Sequence, residues 1–133
     1  MENCIFCKII NKEIPCYKIY EDENTLAFLD ISKDFDGHTL VIPKKHVRNM
    51  IDCDKETLHH VMDSVSKIIN HYKTLGYTGF NVLNNNEIDG EQGVFHLHFH
   101  IYPRKSNESV KIFPKLDCAN LSLDEVCEKL KLN

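Results

Sequence analysis

An α+β fold with an antiparallel sheet of about five strands is what this chain of 133 residues predicts, and three observations carry the expectation. Short apolar stretches separated by turn-forming residues read as strands. One long segment repeats its apolar residues at helical spacing. The order helix, strands, helix, strands lacks the strict alternation that a parallel sheet would demand.

Taken in order, residues 4–12 (CIFCKIINK) read as a short helix stopped before Pro15, with Ile5, Phe6, Ile9 and Ile10 as its apolar positions. Strands are expected over residues 17–20, 25–30 and 38–43, set apart by the turn-forming stretches EDEN and SKDFDG. Asp54 is placed to cap a helix over residues 55–75. Its Leu58, Val61, Met62, Val65, Ile68, Ile69, Tyr72 and Leu75 recur at steps of three and four, and Gly76 ends it. A strand over 79–84, a polar loop over 85–93 and a strand over 94–102 follow. Ser122 with Glu125 makes a capping-box pattern for a short final helix. One domain is expected to span residues 1–133, with its core in 4–104 and a tail over 105–133.

Composition narrows the function. A 42% hydrophobic share supplies a real core, while a formal charge of −4 leaves no basic face for nucleic acid. No apolar run approaches the roughly 20 residues of a membrane span, and the first residues lack the pattern of a secretion signal. The six cysteines therefore read as thiols in a reducing cytoplasm rather than as a disulfide framework.

Residues 94–104, VFHLHFHIYPR, carry the chemistry. On a strand, residues two apart share a face at about 6.5–7 Å, so Leu97, Phe99 and Ile101 face a core while His96, His98 and His100 stand together opposite. Three readings compete: a solvated face, one metal held by all three imidazoles, and catalysis. Crowded imidazoles resist simultaneous protonation, which keeps one as an uncharged nucleophile beside a potential acid. That pairing suits attack on phosphorus with protonation of a leaving group. The preceding loop, NNNEIDGEQG, offers amide donors from Asn84, Asn85, Asn86 and Gln92, and its glycines permit close approach to an oxyanion. Its bland alternative is a polar hairpin loop. Cys4 and Cys7 form a C-x-x-C pair able to chelate zinc, to act in redox chemistry, or simply to sit buried.

HLHFHIY, together with IFCKIINKEIP, LAFLDIS and GHTLVIPKKH, resembles the histidine triad (HIT) superfamily in its Hint-like, nucleotide-binding branch, from about Cys4 to Arg104. The resemblance implies that His98 attacks the α-phosphorus of a nucleotide to give a transient nucleotidyl-histidine. It makes His100 the partner that binds a phosphate oxygen and helps protonate the leaving group, and puts Asn85 and Gln92 at the phosphate. Asp30 becomes the carboxylate for the ribose hydroxyls, with turn capping as its plainer role. Ile5, Phe6, Ile9, Phe28 and Ile31 become the wall around the base, with core packing as theirs. His38 is either a hydrogen-bonding orienter of the triad or a polar strand-end residue.

One position departs from the branch: Gly93 stands where a serine or threonine hydroxyl usually contacts the phosphate or leaving group. Losing one such donor commonly costs about 10²–10³ in rate. A subset of bacterial-type relatives is similar in carrying a structural zinc, which maps to Cys4, Cys7, His46 and His96. A zinc-bound His96 would leave the chemistry to His98 and His100.

The expectation is a cytoplasmic, homodimeric hydrolase that splits purine nucleoside phosphoramidates or related AMP conjugates, with structural Zn2+ and no obligatory Mg2+. Its partners are purine nucleoside monophosphates and their conjugates, not nucleic acid or membrane. Two rivals stand beside it: a Fhit-like dinucleoside polyphosphate hydrolase, and a zinc-stabilised nucleotide-binding module with little turnover.

Overall fold

The structure is a computed structural model that describes residues 3–106, 108 and 110–133. Its elements run α1 (Ile5–Ile10), β1 (Lys18–Glu21), β2 (Thr25–Leu29), β3 (Thr39–Pro43), α2 (Lys55–Thr74), β4 (Gly79–Leu83), β5 (Phe99–Arg104) and α3 (Leu123–Leu130), with a 3₁₀ turn at Ile88–Gly90. The five strands form one antiparallel sheet in the order β1-β2-β3-β5-β4, so the α+β class and strand number read from sequence hold. Among the described residues no helix is long and apolar enough to cross a membrane.

Strand alternation feeds two apolar layers. Ala27, Val41, Phe99 and Ile101 point to the side covered by α2, where they meet Val61, Val65, Ile68 and Tyr72. Leu26, Phe28, Leu40 and Ile42 point the other way, against Phe6 of α1. Each fully buried side chain of this kind contributes about 1.5–3 kcal/mol, which is how six residues of α1 stay helical when so short a helix is unstable alone. Helix α2 starts where predicted, with the Asp54 carboxylate accepting from Thr57 N at 3.1 Å. Two buried hydroxyl pairs fix its azimuth on the sheet: Thr25 with Ser64 at 2.6 Å, and Thr39 with Tyr72 at 2.7 Å. Met62 and Leu75, expected on its apolar face, are exposed instead, because the stripe that meets the sheet is narrower than the three–four pattern.

The histidine segment departs from expectation. Only its second half is strand: β5 begins at Phe99, paired through Leu40↔His100 and Leu83↔His100. Residues 94–98 bend away, and Leu97 N donates to Val47 O at 2.8 Å rather than to a neighbouring strand. The bend carries His96 beyond the sheet toward α1. Ahead of β3, Gly37 has φ +91°, and a β-carbon there would lie 2.7 Å from Cγ of Pro103, so the chain enters β3 through a position where any side chain would be strained and would displace Pro103. Ser122 caps α3 as predicted, accepting from Glu125 N at 3.2 Å, and the helix buries none of its residues.

Candidate active site and metal centre

Opposite α2, the sheet, α1 and the 85–93 loop enclose a cavity of about 390 Å³. Its lining includes Ile5, Phe6, Ile9, Phe28, Asp30, Ile31, Asn85, Gly93, His98 and His100, so the residues assigned to the nucleotide from sequence are gathered in one place, Gln92 excepted. Ile14, Pro15, Cys16, Leu40, Glu91 and Val94 also line it and were not assigned. Leu40 was within reach of the pattern, since it alternates into the same face as Ile42. Glu91 and Cys16 carried no spacing signal.

At one end of the cavity sit the two paired imidazoles, with ring centroids 4.9 Å apart. His98 is buried, and its Nδ1 donates to the His96 carbonyl at 2.8 Å. That bond fixes the tautomer: Nδ1 carries the hydrogen and Nε2 keeps a lone pair. Burial pushes the His98 pKa down, against the opposing pull of the His96 carbonyl and of Asp30. Burial likewise lowers His100 to about 4, with His98 and His38 acting in the same direction. Both rings are therefore neutral near pH 7. Phe6 meets His98 edge-on at 5.2 Å and so packs its flank from α1.

Asp30 takes up its plainer, turn-making role and also faces the cavity. One oxygen accepts from Ser32 N at 2.7 Å, making a turn, while the residue lines the cavity. Burial raises its pKa, but the Ser32 bonds and the adjacent His38 and His100 outweigh that and hold it below the usual aspartate value. An ionised carboxylate is a ready acceptor for sugar hydroxyls.

The amide-rich loop is used differently from expectation. Gln92 does not reach the cavity. Its Nε2 donates to Arg48 O at 2.7 Å and Val94 O at 2.9 Å, and its Oε1 accepts from Glu87 N at 2.8 Å and Asn49 Nδ2 at 3.1 Å. With every hydrogen-bonding atom spent, it is a clamp of the loop and not a catalytic donor. Asn84 donates to His98 O at 2.9 Å and Asn86 to Asn84 Oδ1 at 2.6 Å, so these too brace the backbone. Asn85 alone of the three lines the cavity. Asn49, buried beneath the loop and bonded to Glu87 as well as Gln92, completes the clamp. Nothing in its sequence context signalled that role.

His96 belongs elsewhere. Its Nε2 donates to Pro43 O at 2.8 Å, leaving Nδ1 with a free lone pair. That nitrogen lies 3.1 Å from His46 Nδ1, 3.4 Å from Cys4 Sγ and 3.6 Å from Cys7 Sγ, while Cys7 Sγ lies 3.3 Å from His46 Nδ1. The four donors all fall within 4.8 Å of one another. A tetrahedral ion bound at about 2.0–2.1 Å by nitrogen and about 2.3 Å by sulfur separates its ligands by roughly 3.3–3.8 Å, so this set fits a metal. Cys4 is also the N-cap of α1, which ties that helix directly to the cluster. The expected ligands Cys4, Cys7, His46 and His96 are thus brought together, and the reading of all three triad histidines on one ion is set aside by geometry.

Behind His100 stands His38, with His38 Nε2 to His100 Nδ1 at 2.8 Å and His38 Nδ1 to Asp34 Oδ1 at 2.8 Å. The orienter reading of His38 fits this arrangement. Asp34 was not singled out from sequence, because an aspartate in a polar turn looks like any other turn residue.

A five-stranded antiparallel sheet that seats a tautomer-locked histidine beside a second imidazole in an apolar cavity, next to a cysteine–histidine cluster, defines a narrow class of proteins. Comparison with known proteins places the chain in it: the HIT domain model matches residues 11–107, and the chain belongs to the HIT family. An uncharacterised HIT-like protein of Methanocaldococcus jannaschii is 44% identical over 128 residues, covering 96% of this chain and 98% of its own. The adenosine 5′-monophosphoramidase of Schizosaccharomyces pombe is 42% identical over 106 residues, 80% of this chain and 77% of its own. Among solved structures, a zinc-bound histidine triad family protein from Mycobacterium smegmatis superposes with a TM-score of 0.75 at 36% identity, covering 87% of this chain and 85% of its own.

Proposed function

We propose that this protein hydrolyses the bond between the α-phosphorus of a purine nucleoside 5′-monophosphate and its leaving group, with phosphoramidates and related AMP conjugates as substrates. The observation that carries the reading is the His98 tautomer. A backbone carbonyl takes its Nδ1 hydrogen, so Nε2 holds a lone pair at the end of a cavity lined by Asp30 and apolar side chains. In the reaction, Asp30 accepts from the ribose hydroxyls, and Phe6, Ile9, Phe28, Ile5 and Ile31 enclose the base. His98 Nε2 attacks phosphorus as the bond to the leaving group breaks, Asn85 donates to a phosphate oxygen, and a proton reaches the departing atom by way of His100. Water then releases the nucleotide from His98. The name borne by the fission-yeast relative supports the choice of substrate.

Zinc on Cys4, Cys7, His46 and His96 belongs to the same reading, as does the absence of any need for Mg2+. Bound there, zinc supplies a rigid crosslink between α1 and the start of the histidine segment and takes no part at phosphorus. The protein acts in the cytoplasm as a homodimer; β1 and β4 are the sheet edges, and an exposed Val82 on β4 suits edge pairing. Gly93 favours one other reading, a nucleotide-binding module with little turnover. Hydrolysis of adenosine 5′-phosphoramidate by wild type and His98→Ala separates the two, with diadenosine polyphosphate as the test of the Fhit-like alternative. Turnover that His98→Ala abolishes, with AMP binding retained, supports the enzyme; background turnover by both proteins overturns it.

A further inference from the structure

In the free protein His100 is held neutral by its burial. A neutral imidazole has one hydrogen, and here its location is set by what lies behind the ring. His38 Nδ1 faces Asp34 Oδ1 at 2.8 Å, with Asp30 Oδ2 at 3.9 Å, so Nδ1 carries a hydrogen in either charge state. If the pair holds no extra proton, His38 Nε2 accepts from His100 Nδ1, and His100 presents a bare lone pair to the cavity. If the pair holds one, His38 Nε2 donates to His100 Nδ1, and His100 presents Nε2–H. Only the second arrangement offers an acid to a leaving group.

We propose that Asp34 is a positioning residue that keeps a protonated His38 behind His100, so that the acid of the reaction is the His38–His100 pair rather than His100 alone. This rests on the reading of the cavity as a site of nucleotidyl transfer. As the P–N(His98) bond forms and the P–N bond to an amine breaks, His100 Nε2–H passes to the departing nitrogen. His38 Nε2–H moves to His100 Nδ1 in the same step. His38 ends neutral, His100 stays neutral throughout, and the positive charge never has to sit on His100, whose Nδ1 faces His38 rather than a carboxylate. It rests instead on His38, buried between the stacked ring of Tyr102 (centroids 4.2 Å) and His100 (5.1 Å), with two carboxylates at its outer nitrogen. The groups facing His38 are Asp34 and Asp30 from the β2–β3 connection, and His100 and Tyr102 from β5. His98 lies beyond His100, and Arg104 lies over the neighbouring Phe35.

The test compares two AMP conjugates that differ in their need for a proton. An alkylamine phosphoramidate must be protonated to depart; a nitrophenyl ester leaves as its own anion. General acid catalysis is worth about 10²–10⁴, so weakening it through Asp34→Asn should lower the ratio of amine to nitrophenyl turnover by about 10-fold. The alkaline limb of kcat/KM for the phosphoramidate should also move to lower pH by about one unit, since removing a neighbouring negative charge makes the shared proton easier to lose. Asp34 is 48% exposed in a turn, so the variant should fold with an unchanged melting temperature. Equal losses on both substrates, or an unmoved alkaline limb, overturn the proposal and leave Asp34 a structural residue. Absence of turnover by wild type on both substrates overturns the enzymatic reading and this inference with it.

Discussion

His96 and His98 stand two residues apart, both buried, and each gives one ring N–H to a backbone carbonyl 2.8 Å away. They differ in which nitrogen does so. His98 spends Nδ1 and keeps Nε2, the nitrogen at the far end of the ring, for the cavity. His96 spends Nε2 and keeps Nδ1, the nitrogen near the backbone, for the cysteines. A single choice of carbonyl partner thus divides one histidine run between a cavity and a cysteine–histidine cluster. Residue type and spacing alone do not decide what an imidazole is for; the tautomer does.

The largest expected consequence of that division is in turnover. Replacing His98 by Ala should lower kcat by about 10⁴-fold or more, as loss of a nucleophile does, with little change in melting temperature or AMP affinity. Replacing His96 by Ala should do the reverse, costing stability first. A metal present at 100 times its Kd stabilises a folded chain by about 2.7 kcal/mol, so His96→Ala, or a strong chelator on wild type, should lower the melting temperature by roughly 10 °C. If His96→Ala abolished hydrolysis while leaving metal content and melting temperature intact, the division would fail.

A smaller effect is expected at Gly93. A β-carbon there meets nothing within 4 Å, so the hydroxyl is missing for reasons other than space. Gly93→Ser should fold normally and raise kcat by about 10-fold, part of what one added donor supplies. The smallest effect belongs to Asp22, which touches neither histidine group. Burial raises its pKa, but bonds from Asn24 N, Tyr20 OH and Thr25 more than compensate and hold it below that of a free aspartate. Its contribution is therefore fully present above about pH 4 and lost as pH falls through the depressed folded value. Asp22→Asn should cost about 1 kcal/mol at neutral pH and less in acid, read as a flatter pH dependence of unfolding. Turnover should not change.

What the sequence made legible follows from what periodicity encodes. Short apolar runs in LAFLDIS and TLVIP, bounded by turn-forming residues, marked the strands, and the Asp54 and Ser122 caps marked helix starts, because each is a local rule satisfied by neighbouring residues. The part of the cavity wall made by Ile5, Phe6, Ile9, Phe28 and Ile31 was legible through the resemblance, residue by residue, while Ile14, Pro15 and Cys16 were not. The role of Gln92 was not: its four partners come from residues 48, 49, 87 and 94, and no local pattern announces a carboxamide consumed by a loop. The bend at 94–98 was hidden for the opposite reason. Alternating apolar residues and histidines satisfy the strand rule whether or not a partner strand is present, and here the partner of Leu97 is the isolated carbonyl of Val47.

Gly37 extends this lesson to heredity. Any replacement there must either push Pro103 aside or rotate the entry to β3, and His38 is the next residue along. A substitution at a position with no functional group of its own would thus travel through the backbone to His38 and, through its bond to His100, to the cavity.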